Sequence, residues 1–305
     1  MSRERGWAPP PERLPVEVID DHTHLQMAAA WQAGGWPGPG QADDVAAHLA
    51  LAASVGVTRV VEVGCDYDAL EATAALADAD PRVLAAVAIH PNEAALHAGV
   101  REVGPDHLAP RVEPRHDVPL DDALAAVARV AAGSDRVRVI GETGLDYFRT
   151  SPAGRAAQRS AFRDHLALAR ERGLAVQVHD RDAHADMVEV LLADGAPERT
   201  VVHCFSGDVE LARTCAQHGW ACSFAGPLTY KNNDALRAAA AQVPADLLLV
   251  ETDSPFLTPV PHRGRPCSSY LVPWTVAELA RVRDLSVPQV CELVVANAER
   301  LYGPW

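Results

Sequence analysis

Lysine is nearly missing from this sequence. Of its 27 Lys and Arg residues only Lys231 is a lysine. Basic charge is also outweighed: 41 Asp and Glu leave a net charge of −14. That balance excludes a basic nucleic-acid-binding domain. It argues against tight non-specific binding to a long duplex, which depends on cation–phosphate contacts. An acidic chain can still cleave nucleic acid if metal ions hold the phosphates. The six cysteines (Cys65, Cys204, Cys215, Cys222, Cys267, Cys291) contain no CxxC pair and no zinc-finger spacing. They read as reduced thiols of a cytoplasmic protein. No run of about 18 uncharged apolar residues occurs, so nothing is expected to span a membrane. The opening "MSRERGWAPPPERLP" is charged and proline-rich, without the apolar stretch of a signal peptide. Residues 1–15 therefore read as a disordered tail and residues 16–305 as one folded domain. Nothing in the sequence calls for an obligate protein partner.

What the sequence does contain is an alternation. Short β-rich runs recur: "VEVIDDHTH", "TRVVEVGC", "VLAAVAIHP", "VRVIGETG", "LAVQVHDR", "TVVHCFSG", "WACSFAGP" and "DLLLVETD". Most are apolar on both faces, as buried parallel strands are. Between them lie Ala/Leu/Arg-rich segments with helical spacing, such as "DDVAAHLALAASVG" and "GRAAQRSAFRDHLALARERG", whose Gly56 and Gly173 suit the position just past a helix end. Two more helices, "SYLVPWTVAELARVRD" and "SVPQVCELVVANAERLYG", close the chain. Eight βα units in order predict an α/β fold, a (β/α)8 TIM barrel in a single domain. An open doubly wound sheet would show the same alternation.

Two connections are long: residues 26–41, with Trp31 and Trp36, and residues 92–119, with His97, His107 and His116. Both follow strands, so in a barrel both lie on the face that carries active sites. The first reads as a lid. The histidines of the second read as solvated loop residues, because the loop offers no ligand spacing.

The strand ends carry the chemistry. The first ends in His22-Thr23-His24, and side chains two apart on a strand point the same way. The fourth ends in Glu142, the fifth in His179, the sixth in His203 and the eighth in Asp253. Each has an ordinary alternative: a strand-end histidine can be a hydrogen-bonded structural residue, Asp253 can cap a turn, and Glu142 can pair with an arginine. Together, four imidazoles and two carboxylates on five strands are too many buried ionisable groups to leave uncompensated. One or two divalent ions account for them. His22, His24 and Asp253 would hold one, His179 and His203 the other, and Glu142 would reach both. Ions about 3.5–4 Å apart can polarise a substrate, acidify a water and stabilise a leaving oxygen. Asp253 is the candidate to orient or deprotonate that water. Some metal hydrolases bridge their ions with a carbamylated lysine on the fourth strand. Here the only lysine follows the seventh strand, so a bridge from strand four must be Glu142, with Gly141 and Gly144 leaving room for the metals.

"DDHTHL", "AIHPNEA", "IGETGLDYFR", "VQVHDRDA", "VVHCFSG" and "LLLVETDSPFLTP", in that order, resemble the TatD family of metal-dependent hydrolases and deoxyribonucleases over residues 16–303. The resemblance implies a TIM barrel of the amidohydrolase kind, a one- or two-metal centre, and phosphodiester hydrolysis, commonly trimming 3′ ends of single-stranded DNA or RNA. Its ligand pattern falls on the same six residues. It also implies that His90 and Arg181 contact the scissile phosphate, and that Asp146, Tyr147, Arg149 and Ser206 shape the pocket. Asp146 and Tyr147 can equally brace their loop, and His90 before Pro91 can be a turn residue. The resemblance breaks after the eighth strand, where "HRGRPCSSY" puts Cys267 and Ser268 in place of an amide and a carboxylate. That departure is expected to alter the rim of the site.

Three functions follow as expectations. The first is a metal-dependent 3′–5′ exonuclease on single-stranded nucleic acid, with Arg181, Lys231 or Arg263 holding neighbouring phosphates. The second is hydrolysis of a small-molecule amide, lactone or phosphoester by the same centre. The third is a non-catalytic barrel used for binding. Imidazole-rich sites favour zinc, manganese, iron or cobalt, whereas magnesium prefers oxygen shells.

Overall fold

A computed structural model of the chain describes residues 6–33 and 45–305. Its strands are β1 (Val18–Thr23), β2 (Val57–Gly64), β3 (Val83–Val87), β4 (Val137–Asp146), β5 (Ala175–Arg181), β6 (Thr200–Val202), β7 (Ala221–Phe224) and β8 (Leu248–Val250). The helices are α1 (Leu25–Ala33), α2 (Val45–Ser54), α3 (Leu70–Ala79), α4 (Pro91–His97), α5 (Leu120–Gly133), α6 (Arg155–Arg172), α7 (His184–Asp194), α8 (Val209–His218), α9 (Asp234–Gln242), α10 (Val272–Arg283) and α11 (Val287–Tyr302). One eight-stranded sheet runs in chain order, β1 to β8, and a helix follows every strand. All eight expected strands are present. Two compact units make up the chain, Met1–Glu62 with Gly207–Trp305, and Val63–Ser206.

In the first unit β1 pairs in parallel with β2, and β7 with β8. Every residue of β1 is buried, polar ones included. Several buried polar groups in and beside this strand have fixed partners. Asp20 accepts hydrogen bonds from Thr252 N and Oγ1 at 2.8 and 2.6 Å. Glu62 accepts from the backbone N–H groups of Leu25 and Gln26 at 2.7 and 3.0 Å, satisfying donors that the start of α1 leaves free. Asn297 of α11 donates to the carbonyls of Ala245 and Leu248 and so holds the entry to β8.

The expected disordered tail is corrected for residues 6–15. Residues 1–5 lie outside the described residues, but Trp7, Ala8 and Leu14 are buried. Tyr270 Oη donates to the Ala8 carbonyl at 2.6 Å, and Leu14 N to the Val55 carbonyl at 3.0 Å. The Trp7 ring meets His48 edge-on at 4.9 Å. A few well-placed apolar residues anchor an extended proline-rich segment that has no helix or strand of its own.

In the second unit β3, β4, β5 and β6 pair in parallel. His165 of α6 is fully buried and ties two strands, with Nδ1 2.8 Å from Thr143 Oγ1 and Nε2 accepting from Ile89 N. Gly144 has φ +138°, and a Cβ there would stand 2.1 Å from the His179 carbonyl oxygen. A Cβ at Gly141 would meet Gln177 Cβ at 2.8 Å. The space these glycines leave is therefore filled by β5, not kept for metals as expected.

The long connections also differ from expectation. The lid over 26–41 lies largely outside the described residues, as do Trp36 and the side chain of Trp31; its first part continues α1. Residues 92–119 carry most of α4 and a short 3-10 turn at Pro114–Asp117. His97 and His116 are buried there, while His107 is exposed as expected. Glu93 explains the burial: His116 Nε2 lies 2.8 Å from it and Arg115 forks onto it at 2.7 and 3.2 Å. Among the described residues no helix is long and apolar enough to cross a membrane, and all six cysteines are free.

Candidate metal centre

In the first unit, the end of β1 and the end of β8 meet. Asp253 N donates to the His22 carbonyl and His24 N to the Ser254 carbonyl, at 3.0 and 2.9 Å. These bonds hold Asp253 at φ +54°, a left-handed conformation that Asp tolerates better than most residues. His22 Nε2 then lies 3.8 Å, and His24 Nε2 3.5 Å, from Asp253 Oδ1. Those separations are too long for hydrogen bonds. They suit the edges of a coordination shell with bonds of about 2.1 Å, where ligand atoms stand about 3.4 Å apart.

The second unit offers another donor triangle. Glu142 Oε2 is 2.9 Å from both His179 Nδ1 and His203 Nε2, and the two nitrogens are 3.4 Å apart. His90 Nε2 stands 3.6 Å from the same oxygen. Burial pushes the Glu142 carboxyl up, but the charges of His90 and His203 and hydrogen bonds from His179 and His203 hold it well below the usual carboxylate range. His179 also reaches Asp146, whose Oδ2 is 3.3 Å from Nε2. Burial disfavours the His179 imidazolium, yet hydrogen bonds to Asp146 and Glu142 push its pKa up to about 9. The proton serves there as a cation between two carboxylates. A divalent ion taking Nδ1 would replace one such charge and leave Nε2–H to Asp146, the usual support for a ligating histidine. By chemistry both donor sets fit a borderline divalent ion such as zinc, manganese, iron or cobalt, and fit magnesium less well.

The remaining expected residues separate into those that face outward and those already engaged. His90 accepts the Asn92 backbone N–H on Nδ1 at 3.0 Å, so Nε2 carries its proton. Burial drives its pKa down to about 4, which keeps the ring neutral. Arg181 is exposed, stacked 4.1 Å over Phe148. Ser206 is exposed and donates to the Asp180 carbonyl at 3.3 Å. Arg149 is exposed, with Asp106 3.8 Å away. Asp146 and Tyr147 brace their loop. Asp146 accepts from Phe148 N, Arg149 N and Asn92 Nδ2, and Tyr147 Oη donates to Asp186 at 2.6 Å.

The Cys267/Ser268 departure is corrected by the structure. Both side chains are fully buried, and Ser268 Oγ lies 2.8 Å from His48 Nδ1. Ser268 is tied to α2, and neither side chain reaches solvent at the rim of the site.

Glu93, His97 and His116 also present ligand atoms close together, but they are already matched. His116 Nδ1 accepts the Glu113 backbone N–H at 2.8 Å, so its Nε2 keeps the proton that Glu93 takes up. Arg115 fills the cation's place. Sequence reasoning missed this clasp, and it missed the supporting carboxylates Asp20 and Glu62. The signal available was acidic residues inside otherwise apolar strands.

A family model described as "TatD related DNase" matches residues 19–303. The "Uncharacterized metal-dependent hydrolase TatD" of Mycobacterium tuberculosis is 36% identical over 290 residues, covering 94% of this chain and 98% of that protein. The "Uncharacterized metal-dependent hydrolase YcfH" of Escherichia coli K12 is 38% identical over 175 residues, 57% of this chain and 66% of that one. The crystal structure of YjjV, a TatD homolog from Escherichia coli K12, superposes with a TM-score of 0.77 at 24% identity, covering 93% of this chain and 97% of that one. That likeness shows the fold, the (β/α)8 barrel expected from the alternation of strands and helices.

Proposed function

From the premise that the chain belongs to the family of TatD-related DNases and is a metal-dependent hydrolase, we propose that it hydrolyses phosphodiester bonds, trimming 3′ ends of single-stranded DNA or RNA. The observation that carries this reading is the pair of donor sets: His22/His24/Asp253, at separations that suit a coordination shell, and Glu142/His179/His203, whose ligand atoms close on one another at hydrogen-bond distance. Bound ions would supply an acidified water and positive charge against the phosphoryl oxygens. Asp253, whose side chain keeps 16% exposure, is assigned the orientation and deprotonation of the attacking water. His90 presents Nε2–H as a donor to a phosphate oxygen. Arg181 pairs with no carboxylate among the described residues, and its exposed guanidinium holds a neighbouring phosphate. The free cysteines suit a reducing, cytoplasmic setting.

The net charge of −14 favours a second reading, hydrolysis of a small neutral amide or lactone. The rim offers it no further support, since Cys267 and Ser268 are buried. The test is a turnover screen of metal-defined protein on labelled single-stranded DNA and RNA beside a panel of small esters and amides. The phosphodiesterase reading expects 3′-end shortening whose KM rises steeply with salt. Turnover confined to small neutral substrates, insensitive to salt, would overturn it. A purified chain holding no divalent ion would point to the non-catalytic barrel instead.

A further inference from the structure

Beside the His22/His24/Asp253 set lies a cavity that the reading above does not use. It holds about 410 Å³ and is lined by Tyr230 and by two stretches of the loop after β8, Pro255–Thr258 and Arg263–Pro266. That volume is in the range of small-ligand sites. Phe256 stands at its edge, 41% exposed, with its ring 6.4 Å from that of His24. The Arg263 guanidinium lies 4.0 Å over the Tyr230 ring, whose hydroxyl is fixed to the Thr258 carbonyl at 3.2 Å. Among the described residues no carboxylate pairs with Arg263. An exposed aromatic ring and an unpaired guanidinium therefore face one cavity in a strongly acidic chain. An inorganic anion would leave Phe256 unused, and an apolar ligand would leave Arg263 unused. A flat aromatic group joined to an anion uses both.

We propose that this cavity seats the nucleotide next to the bond being hydrolysed, with its base stacked on Phe256 and its phosphate on Arg263. The proposal deepens the phosphodiesterase reading and takes its orientation from it. Stacking makes the site tolerant of sequence, because every base has a π face. The single guanidinium sets one phosphate contact.

The test is binding of a fluorescent, uncleavable phosphorothioate trinucleotide to the full metal-loaded chain, beside the same backbone without bases. The wild-type chain should prefer the base-bearing strand by roughly tenfold. Phe256→Ala should abolish that preference and Phe256→Tyr should keep it. Arg263→Ala should weaken both strands and lower the salt slope by about one. Equal binding of the two strands, or unchanged affinity in Phe256→Ala, would overturn the proposal. Because binding is read on an uncleavable strand, it is independent of turnover. A chain that binds through Phe256 yet cleaves no phosphodiester supports the cavity and contradicts the function.

Discussion

Oε2 of Glu142 lies 2.9 Å from Nδ1 of His179. Glu142 lies within β4 and His179 within β5, and removing the carboxylate takes from His179 one of its two acidic partners and from His203 its contact at 2.9 Å. Glu142→Ala should lower bound metal and cut turnover by on the order of a thousandfold or more. Elemental analysis of the purified variant counts the ions. Loss of both would agree with the expected bridging role, and loss of one with service to a single set. Metal content and rate within a few-fold of wild type would remove Glu142 from the centre.

Asp253 is held by the His22 carbonyl through its backbone, while its side chain stays partly open. Asp253→Asn keeps an oxygen ligand but cannot take a proton. We expect metal content to persist and kcat to fall by roughly a hundred- to ten-thousandfold. A steady-state rate near that of wild type would assign proton removal to another group.

Asp146 is placed to orient His179 from behind, with Oδ2 3.3 Å from Nε2. Asp146→Asn should weaken zinc binding by about ten- to a hundredfold, read by competition with a chromophoric chelator. Unchanged affinity would leave Asp146 only its loop contacts with Phe148, Arg149 and Asn92.

The buried pair before His22 should shape stability against pH. Burial pushes the Asp20 carboxyl up to about 7, and burial with the nearby Glu251 charge pushes Asp21 up to about 8. A carboxyl with a raised folded pKa binds its proton more tightly when folded. Its contribution is whole below its unfolded value of 3.8 and is lost as pH rises through about 8. Glu142 and Asp146 are lowered instead, so theirs is present above the unfolded value and lost in acid. Denaturant titrations of chelated protein should therefore show stability falling between about pH 5 and pH 8 in wild type, and falling less in Asp21→Asn by on the order of 1 kcal/mol or more. Parallel curves for the two proteins would show that Asp21 does not titrate in that window.

Much of this was legible before any coordinates. The strands could be read because each is a short apolar run whose period depends only on neighbours in sequence. The candidate ligands could be read because each sits at the polar end of such a run: His22 and His24 after Val18-Ile19, and His203 after Val201-Val202. His97 and His116 could not, because their burial depends on Glu93 and Arg115 reaching them across a loop with no period.

The alternation of strands and helices, the absence of a lysine on strand four and the six candidate ligands are thus properties of the sequence alone. The tertiary structure decided the rest. It sorted the ligands into two donor triangles and packed Trp7 and Leu14 where a disordered tail was expected. It gave the space at Gly141 and Gly144 to β5, and it buried Cys267 and Ser268 away from the rim. It also set Phe256 and Arg263 on one cavity. Each of these depends on contacts between residues far apart in the chain, and no local pattern carries the distance between them.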